Sequence, residues 1–245
     1  MSDVPASAFY TGLVAELYAS LRSMSCEPDR YADLIAQHGQ PALELGCGDG
    51  DPLLELVARG LDVDGLDSSA DMISRLRRHA EERDLDVDVR VAEMQTMQLP
   101  RTYRTIFLAG PTFNLLPDDD AMTSALAAVA RALSPDGTAI IPLFVPEPVD
   151  PGAIGVPRRQ EQPDGWVSVQ VLAADRDEPT RTQTVTLRYQ RMLQGRLETL
   201  DRAWVLHWID LDGFVELAQA AGLHVVSAPH AVDHTPRDIL LRHDR

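Results

Sequence analysis

The stretch LELGCGDGDPLLEL, residues 43 to 56, places glycines and carboxylates between two apolar runs. Its glycines are spaced at every second position, at Gly46, Gly48 and Gly50. Glycine lets a chain turn tightly and lets a ligand contact the backbone. The carboxylates of Glu44, Asp49 and Asp51 would repel a pyrophosphate and attract a cation. The loop therefore favours a positively charged ligand over a dinucleotide, whose fingerprint also needs a small residue where Asp51 stands.

A further carboxylate has the spacing that a nucleoside would require. Asp67 lies 21 residues after Gly46 and ends the run DVDGLD, which predicts a strand. A carboxylate at that place can accept hydrogen bonds from both hydroxyls of a ribose. The loop and Asp67 together indicate a ligand with a nucleoside, a positively charged tail and no phosphate. S-Adenosylmethionine (SAM), which carries adenosine, a sulfonium and an ammonium, meets that description.

These residues need a sheet to position them, and the sequence predicts one. Short apolar runs alternate with helical patterns, which is typical of a parallel sheet covered by helices on both faces. The predicted strands are ALEL, DVDGLD, VDVRVAE, YRTIFLAG, TAIIPLFV, LHVVSAP and RDILLRH. The predicted fold class is therefore α/β, with a mostly parallel sheet of seven strands. Ligands of such sheets bind at the carboxyl ends of the strands, where the glycine loop lies.

Local signals predict where two of the helices begin. Asp51 is expected to cap the helix DPLLELVARG, with Pro52 in its first turn and Gly60 at its end. Ser68-x-x-Asp71 has the spacing of a capping box for the following helix.

The alternation of strands and helices breaks after Val145. The segment PEPVDPGAIGVPRRQEQPDG is rich in proline and glycine and predicts a loop. The runs WVSVQVLAA, TQTVTLRYQRML and LETLDRAWVLHW then alternate in polarity, which predicts an antiparallel meander of three strands. We therefore expect residues 1–150 and 208–245 to form the cofactor-binding core. Residues 151–207 are expected to form an inserted cap over the substrate.

Composition argues against several classes of function. The net charge of −16 and the pI of about 4.7 oppose a nucleic-acid partner. The chain contains no lysine, so a lysine Schiff base and a P-loop are excluded. Its two cysteines are too few for a disulfide framework or a zinc site, and we expect no metal. No apolar run reaches the ~18 residues of a membrane span and no signal peptide is evident, so we expect a cytoplasmic protein. The sequence leaves open whether the protein forms a homodimer.

On these residues the sequence resembles the class I SAM-dependent methyltransferases. ELGCGDG matches the family's acid-x-Gly-x-Gly-x-Gly loop, and DSSADM matches the segment after its second strand. The resemblance implies a Rossmann-like fold that binds SAM and releases S-adenosylhomocysteine. It places Glu44 near the methionyl ammonium, Asp67 on the ribose and Met72 against the adenine. The cofactor-binding residues that it implies are Glu44, Gly46, Cys47, Gly48, Gly50, Asp67, Ser68, Met72, Glu93, Met94, Ala109 and Gly110.

The N-terminal stretch is expected to fold over the cofactor as a lid, as it often does in this family. Its apolar residues fall on one helical stripe: Phe9, Leu13, Leu17 and Leu21. Tyr10 and His207 are the catalytic candidates, because either could orient the acceptor. The residues expected to bind the substrate are Tyr18, Phe113, Asn114, Trp166 and Trp208. A purely structural role stays open for these residues. Asn114 could serve only to brace its loop, and His207, Tyr10 and Tyr18 could serve only to pack against neighbouring side chains.

The resemblance gives the cofactor but not the methyl acceptor. Amino-methylases of DNA and protein glutamine carry Asn- or Asp-Pro-Pro-aromatic after the fourth strand, where this chain has AGPTFN. The strand insertion is similar to that of sugar N-methyltransferases of antibiotic biosynthesis, so we expect a small-molecule amine such as an amino sugar. No His-Asp pair is evident at an obvious site, which favours an amine over a hydroxyl. The alternatives are a small-molecule O-methyltransferase and a SAM-binding regulatory protein without turnover, while the missing third fingerprint glycine disfavours a nicotinamide oxidoreductase.

Overall fold

The computed structural model describes residues 6–22, 26–228 and 237–244. Its strands are β1 (Ala42–Leu45), β2 (Val63–Asp67), β3 (Val89–Val91), β4 (Tyr103–Phe107), β5 (Leu133–Leu143), β6 (Pro157–Gln162), β7 (Gly165–Asp177), β8 (Thr182–Leu193), β9 (Arg196–His207), β10 (Leu223–Ser227) and β11 (Arg237–His243). Its helices are α1 (Ala6–Phe9), α2 (Leu13–Leu21), α3 (Pro28–His38), α4 (Leu53–Ala58), α5 (Ala70–Glu82), α6 (Asp119–Ala132) and α7 (Leu211–Ala220). Short 3₁₀ turns occupy Thr112–Leu115 and Pro151–Ala153.

The main sheet has seven strands in the order β10-β11-β5-β4-β1-β2-β3. β1 is parallel to β2 and β4, β2 is parallel to β3, and β4 is parallel to β5, whereas β11 is antiparallel to β5 and β10. The predicted α/β fold with a mostly parallel, seven-stranded sheet is confirmed. The strand order reverses between β1 and β4, so the carboxyl ends of these two strands flank the crevice where such sheets bind ligands.

Both faces of the main sheet are covered by helices. Leu43 and Leu45 of β1 pack with residues of α6 and α7, whereas Ala42 packs with residues of α3, α4 and α5. In β4, Ile106 packs on the side of α6 and α7, and Phe107 packs on the side of α3, α4 and α5. Successive residues of a strand point to opposite faces, so a strand buried on both sides has a continuous apolar sequence.

A separate antiparallel sheet holds the strands β6-β7-β8-β9 in that order. The prediction of three strands was one strand short, because β6 lies in the segment predicted as loop. It pairs with β7 from Pro157 opposite Gln170 to Gln162 opposite Gly165. Pro157 begins an edge strand, a position where its missing N–H is tolerated. The sequence hid this strand because nearly all of β6 is exposed and shows no alternation of polarity.

The N-terminal stretch is helical as predicted, but it is broken into α1 and α2. Gly12, with φ of +54°, lies at the break in a conformation that favours glycine. The predicted stripe packs on the second sheet rather than on the main one. We call this group the lid–cap cluster, and its buried members are Phe9, Val14, Leu17, Leu21, Val167 and Tyr189. Across the residues that the structure describes, no helix combines the length and hydropathy that a membrane span needs.

The predicted capping box before α5 is displaced by one residue. Ser69, not Ser68, caps the helix, because its Oγ accepts the Met72 backbone N–H at 3.2 Å. Asp71 is used differently from the prediction, since its carboxylate accepts the Gly12 backbone N–H at 2.7 Å. The start of α5 is therefore tied to the N-terminal segment.

Candidate active site

Glu44 lies at the carboxyl end of the crevice strand β1. Its side chain is 0% exposed, and within the described ranges neither carboxylate oxygen has a hydrogen-bond partner. Burial raises the pKa of Glu44 well above its ordinary value, and the nearby charges of Asp51 and Asp67 raise it further. A buried carboxylate without a partner is costly, and an ammonium group would remove that cost.

The glycine loop holds the second predicted contact, Asp67, in place. The Gly48 backbone N–H donates to one carboxylate oxygen of Asp67 at 2.9 Å, and the Ser69 backbone N–H donates to the other at 2.8 Å. Burial raises the pKa of Asp67, while these two hydrogen bonds oppose the rise. Each oxygen keeps a lone pair that can accept from a ribose hydroxyl.

The conformation of the loop requires its glycines. Gly46 has φ of +75° and Gly48 has φ of +52°. A Cβ placed on Gly46 would lie 2.5 Å from the Thr112 side chain, so the segment after β4 closes directly on the loop. Gly50 has φ of +105°, and a Cβ placed on it would lie 2.7 Å from the Leu54 side chain. Cys47 is buried and fills space beneath the loop, with its Sγ in the hydrophobic cluster of α4 and α5.

The residues expected near the adenine differ in their exposure. Met72 is 3% exposed, and its Cε lies 3.4 Å from the position of a Cβ on Gly48. Met94 is half-buried against the core. Glu93 is exposed and its carboxylate accepts a hydrogen bond from the Gln95 amide at 3.1 Å. Ser68 is half-buried between Asp67 and the helix cap.

The fourth strand contributes backbone at the same edge. Ala109 and Gly110 follow the end of β4 and are half-buried. The Cys26 Sγ lies 4.0 Å from the Ala109 carbonyl oxygen, which brings the chain before α3 against this position.

The N-terminal segment lies against the predicted cofactor contacts. The Ser69 hydroxyl donates to the Tyr10 carbonyl at 2.6 Å, so Tyr10 sits beside the loop that holds Asp67. Its ring packs edge-on against Tyr18 at 5.7 Å between centroids. Burial raises the pKa of Tyr10, with further contributions from Tyr18, Tyr189 and Asp67. Burial also raises the pKa of Tyr18 to about 12, assisted by Asp49.

Arg22 is a residue of this site that the sequence did not indicate. It ends α2, and its guanidinium lies 2.6 Å from Asp51 and 4.0 Å from Asp49. The expected cap by Asp51 is therefore wrong: α4 begins after Pro52 without a side-chain cap, and Asp51 faces Arg22. This guanidinium could bind the carboxylate of an amino-acid group. No local pattern marked it, because the contact depends on how α2 folds back.

His207 forms a pair that the sequence did not reveal. Its Nε2 lies 2.8 Å from Asp119 at the start of α6, and the Arg181 guanidinium lies 2.5 Å from the other oxygen of Asp119. Burial of Asp119 opposes ionisation, but the hydrogen bonds from His207 and Arg181 hold its pKa below the ordinary value. The His207 Nδ1 is buried and has no partner in the described parts of the chain. The sequence analysis saw no His-Asp pair at an obvious site, and the structure contains this one.

Phe113 and Asn114, which were predicted to bind the substrate, are buried and contact other parts of the protein. Phe113 is 1% exposed, and its ring packs edge-on against Phe214 of α7 in the core. Asn114 is fully buried, and its amide donates to the Phe144 and His207 carbonyls at 3.1 and 2.9 Å. Asn114 thus braces the end of β9, as one of its two interpretations held.

The two tryptophans expected at the substrate lie under arginines. The Arg176 guanidinium stacks 4.0 Å from the ring centre of Trp208, which is buried. The Arg159 guanidinium stacks 4.3 Å from the ring centre of Trp166, which is half-buried on β7. Neither contact brings a tryptophan to Glu44 or Asp67.

Comparison with known proteins agrees with this geometry. Residues 42–137 match the family model described as a methyltransferase domain. A dTDP-3-amino-3,6-dideoxy-alpha-D-glucopyranose N,N-dimethyltransferase of Streptomyces fradiae is 28% identical over 156 residues, or 60% of each chain. A dTDP-3-amino-3,4,6-trideoxy-alpha-D-glucopyranose N,N-dimethyltransferase of Streptomyces venezuelae is 25% identical over 63% of this chain. The aligned part spans 60% of the length of both curated relatives.

A solved structure shares the architecture over the whole chain. The sugar N-methyltransferase KedS8 from Streptoalloteichus superposes with a TM-score of 0.73, at 19% identity, over 100% of this chain and 99% of the other. At that identity the likeness concerns the fold. Residues 42–137 therefore match a methyltransferase domain, and the chain shares the fold of the solved sugar N-methyltransferase.

Proposed function

We propose that this protein is a SAM-dependent methyltransferase whose acceptor is the amine of a small molecule, an amino sugar of antibiotic biosynthesis. The observation that carries the proposal is Glu44, a buried carboxylate without a partner in the described ranges, beside a glycine loop that holds Asp67. The ammonium of SAM supplies the partner that Glu44 lacks, and its ribose hydroxyls can donate to the remaining lone pairs of Asp67.

The remaining contacts fit the other parts of the same cofactor. Met72 lies under the glycine loop and offers an apolar surface to the adenine. Arg22 offers a cation to the methionyl carboxylate. Bound SAM supplies a methyl group on a positively charged sulfur. The chain's own task is then to hold the acceptor nitrogen in line at about 3–3.5 Å from that methyl.

An amine acceptor also has to lose a proton. The N–C bond forms as the C–S bond breaks, sulfur leaves as a neutral thioether, and the surplus proton of the amine must go to a base or to water. We assign this step to His207, because Asp119 holds its Nε2 and its Nδ1 has no partner among the described residues. Tyr10, whose pKa is raised by burial, keeps its proton and can only orient the acceptor.

The names of the two curated relatives support an amino sugar, since both act on dTDP-linked 3-amino sugars. The four-stranded sheet β6-β7-β8-β9 supports the division of the chain that the sequence predicted. We assign residues 1–150 and 208–245 to the SAM-binding core and residues 151–207 to a cap over the acceptor. The absence of a nucleic-acid partner stays a prediction from charge.

A small-molecule O-methyltransferase is the second candidate, and the His207–Asp119 pair is the observation that favours it. A hydroxyl is a weak nucleophile and needs a positioned general base, whereas a neutral amine does not. The two candidates therefore differ in how strongly turnover depends on His207.

The purified chain should be incubated with SAM and each of the two dTDP-amino sugars named for the relatives. We expect S-adenosylhomocysteine to form, and mass spectrometry and NMR to locate one or two new methyl groups on nitrogen. Methyl groups on oxygen would establish the second candidate. SAM binding without turnover on any amine or hydroxyl acceptor would refute both and leave a regulatory protein.

A further inference from the structure

The glycine loop owes much of its shape to hydrogen bonds of the backbone. The Gly46 and Cys47 N–H groups donate to the Leu66 carbonyl at 2.7 and 3.1 Å, and the Gly50 N–H donates to the Cys47 carbonyl at 3.0 Å. Backbone polar groups in a half-buried loop need partners of this kind. The Asp49 carbonyl differs from the other two, because in the described structure it accepts a hydrogen bond from a side chain.

That side chain is His79, which lies in the last turn of α5. Its Nδ1 is 3.1 Å from the Asp49 carbonyl oxygen, and the two residues are 30 positions apart in the sequence. A carbonyl oxygen can only accept, so the Nδ1 of His79 must carry a proton and donate it. In a neutral imidazole this hydrogen bond also fixes the tautomer and leaves Nε2 without a proton.

The bond belongs to a face of α5 that lies along the loop. Met72, Leu76 and His79 are spaced i, i+4 and i+7, which places them on one side of a helix. The Met72 Cε lies 3.4 Å from the position of a Cβ on Gly48, and the Leu76 Cγ lies 3.2 Å from that of a Cβ on Gly50. These two contacts are apolar and have no preferred direction. The hydrogen bond from His79 fixes direction as well as distance.

The peptide that His79 binds would otherwise have freedom to rotate. It joins Asp49 to Gly50, and Gly50 has φ of +105°, in a region that glycine enters and leaves easily. The N–H of this peptide is held by the Cys47 carbonyl and its C=O by His79. With both ends held, the loop has one orientation before SAM binds. A site fixed in advance loses less conformational freedom on binding and therefore binds more tightly.

We propose that His79 is a positioning residue for SAM, whose Nδ1–H holds the Asp49 carbonyl and keeps the glycine loop in its binding conformation. The inference rests on the proposed use of SAM and deepens it by naming a residue that acts through the loop. It predicts that SAM affinity depends on the donor at this position rather than on the bulk or charge of the imidazole.

Two variants of similar shape separate the donor from the bulk. His79→Asn keeps an N–H at the same number of bonds from Cα as Nδ1, and His79→Leu removes it. We expect calorimetry to give His79→Leu a Kd for SAM about five- to tenfold above that of wild type, and His79→Asn a Kd within about twofold. Arg78→Leu, at the neighbouring exposed position, is the control for a leucine in this turn and should leave the Kd unchanged. The Tm of each variant shows whether it is folded.

A histidine in the last turn of a helix can also stabilise it through the helix dipole. Both substitutions remove that effect, so a purely structural role would lower the Tm in both and would not separate their Kd values. Only a positioning role predicts that asparagine restores SAM affinity and leucine does not.

NMR of the ring nitrogens tests the hydrogen bond in the wild type without any substitution. In the neutral form of the ring we expect Nδ1 to carry the proton, with the signal assigned by its loss in His79→Asn. An unprotonated Nδ1, a wild-type Kd in His79→Leu, or the same rise in His79→Asn or Arg78→Leu would overturn the inference alone. Failure of the wild type to bind SAM would overturn the proposed function, and the inference with it.

Discussion

The Nε2 of His207 lies 2.8 Å from the Oδ1 of Asp119, and this hydrogen bond joins the last strand of the second sheet to the first turn of α6. The imidazole is held on one side and buried, with its Nδ1 free on the other. An orienting carboxylate is the usual support of a histidine that moves protons.

Asp119→Asn should lower kcat by about tenfold, because the imidazole loses the carboxylate that orients it. His207→Ala should have a similar effect, since an amine needs at most help in losing a proton. Steady-state kinetics with SAM in excess would measure both, and Asp120→Asn, the next residue of the same acidic run, is the control. A loss of about a thousandfold with SAM affinity intact would show an essential base and move the proposal to O-methylation.

Asp67→Ala should weaken SAM binding by about ten- to a hundredfold, because charge-assisted hydrogen bonds to the ribose contribute about 1.5–3 kcal/mol. Isothermal calorimetry would measure the change. Asp64→Asn is the matched control at the other end of β2, where Asp64 binds Arg101 and Tyr103. Equal affinities in Asp67→Ala and wild type would rule out the ribose contact.

SAM affinity should rise with pH, because the ammonium needs an ionised Glu44 and burial raises the pKa of that group in the free protein. The increase should continue up to the raised pKa of Glu44 in the free protein, because below that pKa binding of the ammonium displaces a proton from Glu44. Calorimetry in buffers of different ionisation enthalpy would count that proton. In Glu44→Gln the affinity should be lower and depend less on pH, the remaining dependence coming from Asp67, whose pKa burial also raises.

The raised pKa of Glu44 also predicts how the stability of the ligand-free protein depends on pH. A carboxyl whose folded pKa is raised makes the folded state lose stability as pH rises through that pKa. Glu44→Gln should therefore have a higher Tm than wild type at pH 7, and the same Tm at about pH 4, where both are uncharged. A lower Tm for the variant at pH 7 would contradict the burial of an unpaired carboxylate.

Tyr10→Phe should lower turnover by about tenfold or less and leave the pH–rate profile unchanged. Burial raises the pKa of Tyr10, so its phenol keeps its proton across the neutral range and cannot act as a base. Tyr31→Phe is a suitable control, since Tyr31 stacks on Phe107 in the core. If the pH–rate profile has a limb at high pH that disappears only in Tyr10→Phe, this phenol does titrate during turnover.

The cofactor contacts could be predicted because they depend on short spacings. Gly46, Gly48 and Asp67 belong to one strand–loop–helix–strand unit, so their separation along the chain nearly fixes their separation in space. The His207–Asp119 pair is separated by 88 residues and joins the second sheet to α6, so it has no local signal. Asp119 stands between two other aspartates, and only the fold shows which of the three meets His207.

The fold could be predicted where apolar residues recur at a regular period. Strands β1, β4 and β5 of the main sheet were found because burial on both faces makes them largely apolar. Strand β6 was missed because an exposed edge strand needs no apolar residues. The break at Gly12 was missed because the stripe from Phe9 to Leu21 continues across it.

The lid–cap cluster has a consequence for any exchange of parts between related enzymes. Its members come from two segments far apart in the chain, α1–α2 and β7–β8, and Arg202 and Arg158 add contacts from the second sheet to the carbonyls of Ala8 and Leu21. A chimaera that replaced residues 151–207 alone would join half of one interface to half of another. Changing the acceptor preference by such an exchange should therefore require the N-terminal segment to be replaced together with residues 151–207.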